Sequence, residues 1–292
     1  MELMTTAEVA DYLRLKERTV YEMAAKRQIP CTRATGKLLF SRKLIERWVE
    51  GRTELPLGYD AAPPPIYAGS SDPLLEWALR ESGSGLAVLT SGSGDGLERL
   101  AAGQATLAGL HIRDPDGETY NVDTIRREIP HPDIVAIRWA ERAQGLLVAV
   151  DNPLGLASLD DLHGKRPRIA LRPEGAGSRV LFDALIHEAG QDAAGLDILP
   201  HAAQTETDLA AMILEGEADC GLGIAAAAGR TGLGFAPLGI WESFDLVMRR
   251  RDYFEPPVQR LLRLARSEPF ARRAAALGGY DIARLGEITL NG

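Results

Sequence analysis

The sequence predicts an α/β protein made of a small, mostly helical head and a larger body. Three observations carry that expectation. A chain of 292 residues is too long for one small core, so two folded units are the prior. GRTELPLGYDAAPPP, residues 51–65, has four prolines and no hydrophobic periodicity, which reads as a semi-stiff spacer. Beyond it, short apolar runs alternate with amphipathic segments, as expected of strands and helices in turn, with largely parallel sheets. The expected boundaries are a head at 1–52, a linker at 53–65 and a body at 66–292.

Charge separates the same regions. Residues 1–52 hold 11 Lys+Arg against 7 Asp+Glu, a net of +4, whereas the remainder carries −12. A basic module on an acidic body suits a polyanion-binding head with its own effector domain, although many solvated faces are also basic. No apolar run approaches the length that spans a bilayer, and MELMTTAEVADYL lacks the basic and hydrophobic regions of a secretory signal. Cys31 and Cys220 make no metal-ligand spacing and read as two reduced thiols. A cytoplasmic protein without membrane contact is the expectation.

In the head, Thr5, Thr6 and Glu8 make an N-cap pattern ahead of Val9, Ala10 and Leu13 at helical spacing. Leu15-Lys16 turns the chain into a second amphipathic segment, Glu17 to Lys26, stopped at Ile29-Pro30. Two short helices joined by a tight turn follow the helix-turn-helix plan. Strand-like pieces at 31–33 and 37–40 flank Thr35-Gly36 as a hairpin, and a helix from Ser41 to Glu50 closes the unit.

The stretch TTAEVADYLRLKERTVYEMAAKRQIPCTRATGKLLFSRKLIERWV resembles the excisionase/MerR-type winged helix-turn-helix. The resemblance covers essentially all of 1–50. It implies that the second helix enters the major groove of double-stranded DNA while the hairpin acts as a wing. Arg18, Thr19 and Tyr21 are then the base- or phosphate-facing candidates, with Lys26, Arg27, Arg33 and Lys37 on phosphates. The competing reading is a basic three-helix head that binds protein.

In the body, strands are expected at 66–68, 86–90, 106–110, 134–138, 145–150, 168–171, 197–199, 218–222 and 235–238. Helices are expected at 73–81, 96–102, 159–163, 179–189 and 207–215, with a helical tail over 257–277. Three turns that open helices are rich in glycine and serine: Gly69-Ser70-Ser71-Asp72, Ser91-Gly92-Ser93-Gly94-Asp95-Gly96 and Gly175-Ala176-Gly177-Ser178-Arg179. The free N–H groups of a first helical turn, with the positive end of the dipole, make an anion site, and serine adds a donor. Singly each turn reads as an ordinary helix start; converging, they suit a small oxyanion or carboxylate.

The stretches AGSSDPLLEW, SGSGDGLERL, AGLHIRD, RAQGLLV, NPLGL, EGAGSRVLFDAL and EGEADCGLGIAAAA together resemble the type 2 periplasmic-binding-protein fold. The likeness is to its cytoplasmic form, fused to helix-turn-helix regulators and related to molybdate-binding proteins. It covers about 66–250 and implies two lobes, lobe I at about 66–146 and 244–292 and lobe II at about 147–243, with ligand between them. By that likeness Ser70, Ser71, Ser93, Gly94, Ser178 and Arg179 face the ligand, with His111 and Thr205 also candidates. Two positions depart from the family's pattern. GAGSR has lost a hydroxyl from the usual GSGTR, and Thr205-Glu206 replaces the usual T-H. A carboxylate at 206 would repel an anion unless it points away or pairs with Arg179.

Enzyme signatures fare badly. The glycine-rich turns lack a third dinucleotide glycine and a Walker lysine, no G-x-S-x-G elbow occurs, and the five histidines are scattered without a metal-type pair. The expectation is a non-enzymatic, ligand-responsive transcriptional regulator, a homodimer or higher oligomer, that takes no cofactor or metal and senses molybdate or tungstate. The alternatives are a sensor of a small organic carboxylate bound through Arg179 and a molybdenum-cofactor-related binding or biosynthesis protein.

Overall fold

The computed structural model describes residues 2–33, 36–50, 52, 62–115, 117, 119–129 and 133–292. Residues 53–61 of the expected linker, Thr35 of the expected hairpin turn and His131 lie outside the described residues. The chain divides into two units, 1–61 and 62–292.

In the first unit, β1 (Leu3–Met4), α1 (Thr6–Leu13), α2 (Glu17–Ala25), β2 (Phe40–Ser41) and α3 (Arg42–Glu50) follow in order. Thr5 caps α1 as its neighbours predicted. Its hydroxyl accepts the Glu8 N–H at 3.3 Å, and the Glu8 carboxylate accepts the Thr5 N–H at 2.7 Å. Arg14, in the left-handed region at φ 53°, ends the helix. The wing is a short hairpin held by the antiparallel Thr32–Leu39 bridge. Its continuation, Phe40–Ser41, pairs with Leu3–Met4, a strand too short to carry any periodicity. Val9, Val20, Ala24, Phe40 and Ile45 fill the core between these elements.

The second unit runs β3 (Ile66–Gly69), α4 (Pro73–Glu81), β4 (Ala87–Leu89), α5 (Ser93–Ala101), β5 (Leu107–Leu110), α6 (Val122–Glu128) and β6 (Ile134–Val148). It continues through α7 (Asp160–Lys165), β7 (Arg168–Ile169), α8 (Gly177–Glu188), β8 (Asp197–Ile198), α9 (Glu206–Leu214), β9 (Cys220–Ile224), α10 (Ala225–Thr231) and β10 (Gly234–Arg249). It finishes with α11 (Arg250–Tyr253), α12 (Pro256–Ala265), α13 (Glu268–Leu277), β11 (Tyr280–Asp281) and β12 (Ile288–Asn291). The strands form one sheet in the order β4-β3-β5-β10-β6-β9-β7-β8, with β11 and β12 also on β6.

This order corrects two expectations. The separate strands expected at 134–138 and 145–150 are one strand, and 235–238 is the start of another that reaches Arg249. Nor is the sheet largely parallel. The β3–β4, β3–β5, β7–β8 and β7–β9 pairs are parallel, but β10–β5, β10–β6 and β6–β9 are antiparallel. The long pair β6–β10 runs through both lobes, from Arg249 opposite Ile134 to Gly234 opposite Val148. The lobe boundaries expected near 146 and 243 therefore fall inside continuous strands. The expected tail helix is also two, since a new helix starts after Ser267 with a proline in its first turn.

Side chains alternate across the long strands with period two. In lobe I, Val135, Ile137 and Trp139 join Tyr67, Leu74, Phe244 and Phe270 under α4, α12 and α13. Ile134 and Ala136 join Leu97, Leu110 and Ile125 under α5 and α6. Lobe II repeats the plan, with Leu146 and Val148 facing α8 and Leu147 facing α9 and α10. Both lobes are thus layered helix, sheet, helix, and the loops leaving the parallel strands meet at one cleft.

Candidate ligand cleft and DNA-binding head

The cleft has a volume of about 250 Å³. Lobe I contributes Ser70, Ser71, Glu76, Thr90, Ser91, Gly92 and His111, and lobe II contributes Arg172, Gly177, Ser178 and the run Gln204 to Thr207. All three glycine- and serine-rich turns singled out in the sequence converge here.

Their helices differ in how they are capped. Asp72 caps α4 by accepting the Leu75 N–H at 2.8 Å. Thr205 caps α9 through a reciprocal pair with Asp208. By contrast α5 starts at Gly92, whose φ of 98° only glycine adopts easily, and neither it nor α8 has a side-chain cap. The first turns of α5 and α8 therefore offer N–H groups and dipole ends to a guest.

Of the residues named from sequence, Ser70, Ser71, His111, Ser178 and Thr205 line the cleft. Ser93 stands one layer behind. Its Oγ is 2.8 Å from that of Ser70 and accepts the His111 N–H at 3.1 Å. Gly94 faces open space beyond the lining. Arg179, expected on the ligand, turns along its own helix and donates to Asp183 at 2.9 Å, because the i to i+4 spacing puts that carboxylate within reach. Arg172 supplies the cleft's arginine instead. It donates to the Gln204 carbonyl at 2.9 Å, while its Nε is buried without a hydrogen-bond partner.

Beneath the cleft floor lies a fully buried ionic layer that sequence reasoning missed. Arg142 of β6 donates to Asp72 at 3.2 Å and to Glu242 of β10. Its guanidinium sits 4.5 Å above the Phe244 ring. Asp72 also accepts the Tyr280 hydroxyl at 2.8 Å, and His111 Nδ1 is 3.2 Å from Glu242. Burial alone would push Glu242 up, but Arg142 and His111 outweigh it and hold the carboxyl down at about 2. Burial likewise opposes the charge on Arg142, yet Glu242 and Asp72 raise it further. Charged residues inside an otherwise apolar strand, as in IVAIRWAERAQGLLV, were the available signal.

Among the described residues, contacts join the lobes across the cleft. Arg113 pairs with Glu188 at 2.8 Å, Arg230 with Glu76 at 3.5 Å, and the His111 ring closes on Gly177. A Cβ at Gly177 would lie 2.5 Å from His111 Cε1, so only glycine permits that approach.

Residues 76–266 match the family described as PBP superfamily domain, well over half of the chain. The chain belongs to this family. Residues 3–53 match a helix-turn-helix domain. Membership of the two together makes this a DNA-binding domain joined to a binding-protein domain, the composition of a ligand-responsive DNA-binding regulator. A relative along nearly the whole length is uncharacterised protein YvgK of Bacillus subtilis (strain 168), 23% identical over 98% of this chain and 97% of its own. Among solved structures, PEB3 bound to L-phospholactate aligns with a TM-score of 0.53 at 13% identity, over 74% of this chain and 98% of that one. A hydrogen-peroxide-bound variant of Corynebacterium glutamicum OxyR aligns at 0.51 and 15% identity, over 94% and 90%. Both show the family's fold.

In the helix-turn-helix domain, Arg18, Tyr21, Lys26 and Arg27 are exposed along or just beyond α2, and Thr19 is half-buried. Arg18 pairs with Glu22 at 3.0 Å. Arg33 and Lys37 are exposed on either side of the wing bridge. Among the described residues no helix is long and apolar enough to cross a membrane.

Proposed function

We propose that this chain is a cytoplasmic transcriptional regulator that binds a tetrahedral oxyanion, molybdate or tungstate, and alters its affinity for double-stranded DNA in response. The observation that carries this reading is the convergence of two uncapped helix starts, α5 and α8, with the hydroxyls of Ser70, Thr90, Ser91 and Ser178. Such a donor array holds an anion by dipoles and hydrogen bonds with little full countercharge. A second reading, a small organic anion, is favoured by Arg172, the arginine that lines the cleft. L-phospholactate, which PEB3 holds, is a suitable probe of it. The protein binds its ligand without transforming it, and acts as a homo-oligomer.

The experiment is a thermal-shift panel on the full chain followed by DNA titration. Ligand at a hundred times its Kd stabilises by about 2.7 kcal/mol, or about 5–11 °C for a domain of this size. Molybdate and tungstate should give that shift, and saturating ligand should change promoter affinity by about 1–3 kcal/mol, with DNA changing ligand affinity equally. No shift with any oxyanion, or unchanged DNA affinity, would refute the reading.

A further inference from the structure

We propose that Glu206 is the specificity-determining group of the cleft and makes oxyanion capture proton-linked, one proton being held between its carboxyl and the bound anion. The inference rests on the oxyanion reading above. Glu206 opens α9 and lines the cleft among its donors. Among the described residues nothing donates a hydrogen bond to it. The escape that the sequence suggested, a pair with Arg179, is closed because Arg179 is held by Asp183.

The groups facing it cannot neutralise both Glu206 and a dianion. On α9 itself, Asp208 is committed to the Thr205 cap. Glu76 of α4 accepts the Ser71 hydroxyl and pairs with Arg230. Arg142 is already matched by Asp72 and Glu242, and His111 is turned to Glu242. Among the described residues that line the cleft, Arg172 alone is left to face the guest as a full cation. Two negative groups in contact in a partly desolvated cleft exclude each other unless a proton lies between them. Burial already pushes the Glu206 carboxyl up against the opposing pull of Arg142. When the anion enters, one proton passes from solvent to Glu206, which then donates its O–H to an anion oxygen. No bond to the anion's central atom changes.

The test is calorimetry of the full chain with sodium molybdate, and separately inorganic phosphate, from pH 6 to 8.5 in two buffers of different ionisation enthalpy. Molybdate binding to the wild type should take up close to one proton at the alkaline end, with Kd weakening about tenfold per pH unit there. Monohydrogen phosphate brings its own proton and should take up less. Glu206→Gln, checked for an unchanged melting profile, should flatten the pH dependence and bind molybdate at least tenfold more tightly than wild type at pH 8.5. A flat wild-type profile, equal uptake for both anions, or a slope that survives in Glu206→Gln and so belongs to His111 would overturn the proposal. Weaker binding by Glu206→Gln at every pH would overturn it too, by showing a carboxylate that accepts from the ligand. If neither anion binds the wild type at any pH, the oxyanion reading itself fails.

Discussion

Replacing Arg142 by methionine should unfold the body of this regulator far more readily, and the deficit should depend on pH. Arg142 is fully buried, bonded to Asp72 and Glu242, and methionine, apolar and somewhat shorter, removes the charge, its donors and the guanidinium's contact with the Phe244 ring. Asp72 keeps the Leu75 N–H and the Tyr280 hydroxyl. Glu242 keeps His111 and Gln144 but loses the full cation that faced it and becomes a poorly compensated buried charge. Breaking such a pair from one side costs about 3–5 kcal/mol, which at about 2–4 °C per kcal/mol lowers the Tm of the body by about 6–20 °C. In the wild type the folded-state value of Glu242, about 2, lies below its ordinary 4.5. That pair therefore stabilises above pH 4.5, and its contribution is lost as pH falls toward 2. Without the guanidinium, burial dominates and lifts Glu242 above 4.5, so the variant's deficit is largest near pH 8 and narrows toward pH 5. Urea unfolding of both proteins, followed by circular dichroism at pH 8 and pH 5, measures it, and adding Glu242→Gln should restore part of the loss at pH 8. A deficit under about 1 kcal/mol, or one equal at the two pH values, would refute the assignment of Arg142 as the charge that Glu242 needs.

Deleting residues 1–52 should abolish promoter binding, Arg18→Ala should relax sequence preference, and Lys37→Ala should weaken binding uniformly with a shallower salt dependence in gel-shift titrations. Ser178→Ala should weaken oxyanion binding by about 1–3 kcal/mol in calorimetry; Arg179→Ala should leave it within about 0.5 kcal/mol, since that arginine is spent on Asp183. Gly177→Ala should weaken ligand binding at least tenfold in calorimetry and also lower the Tm of the ligand-free protein, because the added methyl meets the buried His111 ring across the cleft.

What could be read from the sequence was what is written locally. The Thr5–Glu8 capping pair, the Ile29-Pro30 stop and the three serine-glycine turns each depend on residues a few positions apart, and all lie where they were expected. Charge pairing over long separations was not readable. Glu141 and Arg142 look like a break in an apolar run, so 134–138 and 145–150 read as two strands. Folding brings Asp72 and Glu242 to Arg142 and keeps the strand continuous. The same blindness exchanged Arg179 for Arg172. Both follow a strand of lobe II, and only the position of Asp183 one turn along the helix decides which side chain is free to face the cleft.

The path of β10 through the body bears on how the protein is made. On a ribosome, β3, β4 and β5 emerge early, yet the strand that pairs with β5 on its far side is β10, more than 120 residues later. Lobe II, a nearly contiguous insertion between β6 and β10, can acquire its own helices and core in that interval. Lobe I meanwhile carries an open, apolar strand edge at β5, the kind of template on which other nascent chains assemble. Contacts of such sequence separation also slow folding. The residues most dangerous to the yield of this protein in a cell are then not those of the cleft but Leu107 to Leu110, until β10 arrives to cover them.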